Sequence, residues 1–268
     1  MFNMKKTTIT IIKVGYTDRL LNLKKIKKWK SDIFEIFDPV EIQSLKLPLE
    51  DQVSDGYLDI KFTRESMEKF ILSSGGNLNL TSDFVVPITS YRFTDNFFMH
   101  RITNNIVSIS IYGISKILER EKIPLENFII KQLYEICALK RIFTDISYKN
   151  KETYSIYHKD TRGCLFDLNG DRTDIIYNTE KPILCNSCKT KFDEKGMPKG
   201  QISILEKELK RLQKPFIVKV EKHIRRHPLL SIVISALIGS AVSSSISGFF
   251  SSSFWRSLTE KIIYYIKI

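Results

Sequence analysis

Cysteine is scarce in this chain, and what there is does not read as a disulfide framework. Four cysteines stand among 268 residues, and three of them fall between Tyr157 and Lys189. A cystine-stapled secreted fold is not indicated; the spacing suits a reducing compartment better. No signal-peptide pattern opens the chain, because Lys13 cuts short the apolar run that follows Lys5 and Lys6. Acidic residues are in deficit, 30 against 42 Lys and Arg, for a net charge of +12. That balance points to an anionic partner: nucleic acid, nucleotide or lipid headgroups. It is also what a basic composition heavy in Lys, Ile and Asn produces with no functional meaning. Between His227 and Trp255 there is no Asp, Glu, Lys or Arg at all.

The cysteine stretch does contain a ligand set. Cys185 and Cys188 form a CxxC pair, with Cys164 and His158 upstream. Three thiols and one imidazole are what a tetrahedral structural zinc takes. Asn169–Gly170 and Pro182 supply turns that bring the four together. The plainer alternative is a set of free buried thiols. A closed site of four protein ligands predicts one structural Zn, a fold staple with no open position for catalysis.

The rest of the first two hundred residues predicts an α+β domain with a small mixed sheet. Residues 7–14, 34–38, 57–62, 84–90 and 105–112 read as strands, with Pro87 arguing for an edge or a bulge. Asp18 is placed to cap a helix carrying Leu20, Leu21, Leu23, Ile26 and Trp29. Its other face holds Lys24, Lys25, Lys27 and Lys28, which together with Lys159 and Arg162 are the anion-binding candidates. Such a face is also what ordinary solvation produces. Helices are expected over 64–72, 113–121 and 125–141. The last opens at Pro124 and turns Leu125, Phe128, Ile129, Ile136 and Leu139 toward a core.

The order of these elements resembles the archaemetzincin-like metalloproteases of the zincin class. The likeness runs over residues 7–192. It rests on Val14–Gly15 after the first strand, on the strand before the long helix, and on the step from Cys164 to the distal CxxC. The resemblance implies a zinc-dependent peptidase fold whose helix carries HExxH. Here that segment reads Tyr134-Glu135-Ile136-Cys137-Ala138. Glu135 stands at the general-base position, but Tyr134 and Ala138 replace both imidazoles needed to hold a metal from one helix face. The expectation is a pseudo-protease without hydrolytic activity. His158 falls at the position of the family's third catalytic histidine, and Lys159 at its first structural cysteine. Either His158 is recruited as the fourth structural ligand, the expectation adopted, with Asp160 in reserve, or it is a relic of the catalytic site and the structural site has three protein ligands. Cys137 reads as a small core residue rather than a nucleophile.

The remaining sequence changes class. Four segments are expected: a cytoplasmic sensor domain over 1–198, a basic stalk helix over 199–227, a transmembrane helix over 228–253 and an amphipathic tail over 254–268. Ile202, Leu205, Leu209, Leu212 and Phe216 follow a coiled-coil-like spacing that suits self-association. The stretch from 229 to 250 is long enough to cross a bilayer, though its serines also allow a buried soluble helix. Ser231, Ser235, Gly239, Ser243 and Ser247 recur every four residues, as a packing face between helices or as the lining of a pore. Lys219, Lys222, Arg225 and Arg226 before the span outweigh Arg256, Lys261 and Lys267 after it. That orients the large domain to the cytoplasmic side of an inner membrane.

This layout is similar to antiphage membrane effectors, including channels of the Hailong type held shut by a DNA oligomer. The likeness is one of architecture. It implies a homo-oligomeric ion channel gated by a nucleotide or oligonucleotide ligand made by a partner nucleotidyltransferase. A membrane-anchored metalloprotease and a tethered nucleic-acid-binding protein without a pore are the competing readings.

Overall fold

A computed structural model describes residues 5–14, 21–37, 63–74 and 81–213, with Lys199 known by its backbone only. It gives the strands at 40–42, 50–54 and 57–62 as backbone, and scattered positions from 224 to 244. The chain divides into two compact units, Met1–Lys214 and Pro215–Ile268.

The first unit is α+β, as expected. β1 (Thr7–Val14) is almost wholly buried and sits inside a mixed sheet. It pairs in parallel with β2 (Phe34–Ile36) at its start, with β3 (Val40–Ile42) at its end, and with β6 (Phe84–Thr89) along its length. β9 (Val107–Ser110) follows β6 in parallel, and β8 (Met99–Arg101) closes the sheet antiparallel to β9. Strands buried on both faces read as continuous Ile/Val runs, which is why β1 and β6 stood out in the sequence. Asp83 locks the register of β1 against β6. Its carboxylate accepts from the Thr8 N–H at 2.8 Å and the Thr8 hydroxyl at 2.9 Å. A second small sheet holds β4 (Glu50–Ser54), β5 (Tyr57–Phe62) and β7 (Arg92–Phe93).

Pro87 is a correction. The strand that carries it is central, between β1 and β9. The β6–β9 ladder has a bridge at Val85 and Ile106, resumes at Ile88 and Ile109, and skips Pro87. Val85 donates its N–H to Asn105 on the β9 side. Pro87, two residues on, would send its N–H the same way. The missing donor therefore interrupts one side of the ladder without displacing the strand.

The first helix is also shorter than expected. α1 (Leu23–Lys27) is capped by Asn22, whose side chain accepts from the Lys25 N–H. Residues 15–20, including Asp18, lie outside the described residues. α2 (Arg64–Ser74) and α3 (Ile114–Arg120) follow the expected bounds closely.

α4 (Leu125–Ile142) is the centre of the fold. Every residue from Leu125 to Leu139 is buried, so the helix is covered on all sides and not on one apolar stripe. Each polar side chain on it must then find a partner within the protein. Glu126 accepts from the Asn22 N–H at 3.1 Å and from Lys25 at 3.2 Å. Asn127 donates to the Gln213 carbonyl at 3.2 Å. Tyr134 accepts from the Trp29 indole and donates to Glu208, both at 2.7 Å.

Glu208 belongs to α7 (Lys199–Leu209), which packs into the same core. Ile202, Leu205, Leu209 and Leu212, the seam expected to self-associate, are buried inside their own chain. A 3,4 spacing specifies an apolar helix face but not whose surface covers it. Phe216 lies outside the described residues. The carboxylate of Glu208 also accepts from the Ser31 hydroxyl at 2.6 Å and the Asp32 N–H at 2.7 Å. Arg211 stacks on Trp29 at 4.5 Å and donates to the Lys30 carbonyl.

No helix among the described residues is long and apolar enough to cross a membrane. The expected span at 228–253 falls mostly outside them, with Ser231, Ser235 and Ser247, as does the tail at 254–268. Gly239 and Ser243 are described, and both are helical and exposed. A side chain added at Gly239 would meet nothing within 4 Å in the single chain.

Removing the Tyr134 hydroxyl (Tyr134→Phe) is expected to lower the unfolding free energy by about 1–2 kcal/mol. Glu208→Ala strands three donors and is expected to cost about 3–5 kcal/mol. Urea unfolding followed by circular dichroism separates the two; equal, small effects would mean the network adds no stability.

Candidate metal centre and adjoining cleft

The four predicted ligands come together. They reach the site from three short pieces of irregular chain that the metal residues themselves join. A 3-10 helix, Lys151–Ile156, ends at extended Tyr157, and His158 follows. The backbone of His158 bridges to the Phe166–Leu168 segment, accepting from Leu168 and donating to Phe166. Cys164 bridges to Ile183 through bonds of Leu165 and Gly163. Gly163 sits at φ +72°, and Asn169 at φ +51°. The left-handed turn anticipated at Asn169–Gly170 is therefore present. Arg172–Asp174 and α5 (Ile175–Glu180) lead back to Cys185. Cys185 is the N-cap of α6 (Asn186–Glu194), and Cys188 lies in its first turn. The positive end of the helix favours thiolates there.

The geometry fits zinc. A tetrahedral ion with sulfur about 2.3 Å and nitrogen about 2.0 Å away holds its ligand atoms about 3.5–3.8 Å apart. Cys164 Sγ and Cys188 Sγ are 3.7 Å apart, and Cys185 Sγ is 3.6 Å from His158 Nε2. All four donor atoms lie within 4.8 Å of one another. The Cys185 N–H points at Cys164 Sγ from 3.4 Å, a donor that favours the thiolate. The Cys188 thiol, buried beside it, holds the Cys164 thiol well below the ordinary thiol range, while its own is pushed up by Cys164 and by burial. Two sulfurs sharing one proton is what a thiolate cluster does when no cation divides the charge. One Zn on His158, Cys164, Cys185 and Cys188 supplies that cation.

His158 lies with the three thiols, and its two ring nitrogens face different partners. Nε2 faces the thiols, while Nδ1 lies 3.1 Å from Asp167 Oδ1 and 3.1 Å from the Asp160 carbonyl. The hydrogen bond of Nδ1 goes to the Asp160 carbonyl, with Asp167 Oδ1 beside it, and an imidazole whose second nitrogen is held in this way is oriented for a metal. Asp167 is itself buried, and its Oδ2 accepts from the N–H groups of Cys164 and Arg162. The Asp160 carboxylate pairs with Arg162 at 3.0 Å, and its Oδ1 lies 3.8 Å from His158 Nδ1. Arg162 also lies 4.0 Å from Cys185 Sγ.

Behind the metal loop a cleft of about 120 Å³ opens over α4. Glu135 lines it, with Arg64, His100, Arg101, Tyr148, Tyr154, Tyr157 and Asp167 around it and Phe97 and Phe98 among its apolar walls. Glu135 is closed by the Tyr157 hydroxyl, which donates to it at 2.6 Å. Burial pushes the Glu135 carboxyl up and the Lys131 ammonium, one turn earlier, down. Tyr134 points to the opposite side, to Glu208 and Trp29. Cys137 is fully buried, and its thiol is pushed up to about 12, as a core residue's should be.

The structure is similar to the crystal structure of archaemetzincin from Methanopyrus kandleri. The identity is 11%, over 71% of this chain and 95% of that one, with a TM-score of 0.40. No protein-family model matches the chain, and no curated protein does.

The anion-binding candidates do not converge. Lys24, Lys25, Lys27 and Lys28 lie on or beside α1, where Lys25 pairs with Glu126. Lys159 and Arg162 are on the metal loop. None of them lines the cleft. The cationic groups that do line it, Arg64 and Arg101, carry no sequence motif. Arg101 ends a three-residue strand that only the folded sheet brings to α4.

The purified chain is expected to carry one zinc. Cys188→Ser should release it and unfold the first unit, since a structural zinc contributes roughly 10–16 kcal/mol to small domains. Asp167→Asn should keep the fold and weaken zinc about 10–100-fold in chelator competition. An unchanged zinc affinity would mean that Asp167 does not orient His158.

Proposed function

We propose that this chain is a non-hydrolytic sensor. In this reading a domain stapled by one zinc binds an anionic small ligand over α4 and controls a membrane segment that follows it. The observation that carries the reading is the state of Glu135. Its carboxyl is tied to Tyr157 at 2.6 Å and lies one turn from Lys131, a fully buried cation. Its helix neighbours are Tyr134, committed to Glu208, and Ala138. A general base needs an accessible oxygen and a nucleophile to activate. The cleft offers instead a carboxyl closed by a hydroxyl.

The second half of the reading comes from sequence. The uncharged stretch from His227 to Trp255, with serine every four residues, supports an oligomeric pore in a cytoplasmic-side membrane effector of antiphage type. A nucleotide or oligonucleotide from a partner nucleotidyltransferase is the ligand that this architecture favours.

Native mass spectrometry of the full chain in detergent tests the reading. It should show an oligomer with one zinc per chain and a co-purified anionic ligand, and the protein in liposomes should pass ions when the ligand is exchanged. A second tightly bound metal, with peptide hydrolysis abolished by Glu135→Gln, would establish a membrane-anchored metalloprotease instead.

A further inference from the structure

Most of the charges around the cleft have a partner close by, although Asp167 Oδ1 and Lys131 Nζ make no hydrogen bond. Arg64 faces Asp95 at 3.9 Å, and Asp95 also meets His100 at 3.0 Å. Glu135 has the Tyr157 hydroxyl and, one turn away, Lys131. Asp167 is held by His158 and the metal loop. Arg101 remains. It is 6% exposed, its Nη1 is buried with no hydrogen-bond partner, and no carboxylate among the described residues lies within ion-pair range of it. Its guanidinium lies 5.0 Å from the Tyr154 ring centre and 5.5 Å from that of Tyr157. Two aromatic rings hold the cation in place but supply no acceptor for its N–H groups. A buried guanidinium with an unused donor is costly to the fold, and a planar fork of that kind matches a carboxylate or phosphate.

The mouth of the same cleft is aromatic and open. Phe97 is 55% exposed and Tyr154 45% exposed, while the fork of Arg101 is buried. Arg64, partly exposed, stacks 4.2 Å over Tyr148 on the same rim. A single water needs about 10–15 Å³, and the cleft offers about 120 Å³. The space is therefore that of a small molecule and not of a single water.

We propose that the cleft over α4 binds a small molecule composed of an anionic group and a planar ring, with the anionic group on Arg101 and the ring against Tyr154 and Phe97. This rests on the sensing role given to the domain above and names the class of ligand for it. Recognition is by a buried fork for the charge and an exposed stacking platform for the ring, so each half contributes separately.

Titration calorimetry on the full-length, zinc-loaded chain in detergent tests the two halves. The probes are adenosine monophosphate, ribose phosphate, adenosine and benzoate. Adenosine monophosphate is expected to bind, and ribose phosphate and adenosine to bind about ten-fold more weakly or worse. The affinity of benzoate relative to ribose phosphate assigns the anionic group as carboxylate or phosphate. Arg101→Lys keeps a positive charge but loses the fork, and should weaken the anionic probes about ten-fold or more with zinc still at one per chain. Phe97→Ala, on the surface and away from the rings that hold Arg101, should weaken the ring-bearing probes and leave ribose phosphate unchanged. Affinities untouched by both substitutions, or no binding of any probe to the zinc-loaded chain, would overturn the assignment. Hydrolysis that depends on Glu135 alongside intact binding would overturn only the non-hydrolytic reading.

Discussion

A helix buried on every side is an unusual constraint, and α4 imposes it on the whole first unit. Fifteen consecutive residues, Leu125 to Leu139, have no access to solvent worth the name. The apolar ones are accommodated by β1, β6 and β9 beneath and by α3, α5 and α7 around. The polar ones cannot be. Glu126, Asn127, Tyr134 and Glu135 each meet a group brought from elsewhere in the chain, because a stranded polar atom in that environment costs about 1–3 kcal/mol, while Lys131 Nζ and Gln132 Oε1 are buried without a hydrogen-bond partner. Tracing those partners recovers most of the tertiary structure. Glu126 fixes the end of α1, Tyr134 fixes α7, and Glu135 fixes the approach to the metal loop.

The metal loop answers the same constraint by other means. Between Asn150 and Asn186 the chain has little regular structure: two 3-10 turns, one helix of six residues and isolated bridges. Segments of that kind do not bury enough apolar surface to hold a unique shape alone. Four zinc ligands close the loop, and Phe166 and Phe192, in edge contact at 5.3 Å, pack it onto the core. Tyr157 is at once the residue beside ligand His158 and the donor to Glu135. The position of the cleft is thus set by the metal, although the cleft and the metal site are chemically separate.

What could be read in the sequence divides along a physical line. The zinc ligands were legible because metal coordination imposes residue type and local spacing together. β1, β6, β9 and α4 were legible because burial leaves continuous or periodic apolar runs. The fate of Ile202, Leu205 and Leu209 was not legible, since an apolar stripe looks the same whether its own domain or another copy covers it. Glu208 was invisible for a related reason. Among the many charges of that helix, only the folded chain distinguishes the one that meets Ser31, Asp32 and Tyr134. Arg64, Arg101 and Tyr154 come from three separate segments, and their convergence is a property of the sheet order. The lysines of α1 attracted notice because they cluster in sequence, but clustering in sequence is how an exposed helix face is usually made.

The two networks on α4 lie on different faces of one rigid element. Adjacent residues on an α-helix point about 100° apart. Tyr134 and Glu135 are adjacent, so the first reaches Trp29 and Glu208 while the second reaches Tyr157. Glu208 and Arg211 belong to the last described stretch before the chain leaves the first unit at Lys214. The floor of the cleft and the anchor of the departing chain are therefore successive side chains of the same helix. A close-packed interior transmits displacement without absorbing it. Any shift of α4 that a ligand draws through Glu135 or Tyr157 is felt at Tyr134 within one residue.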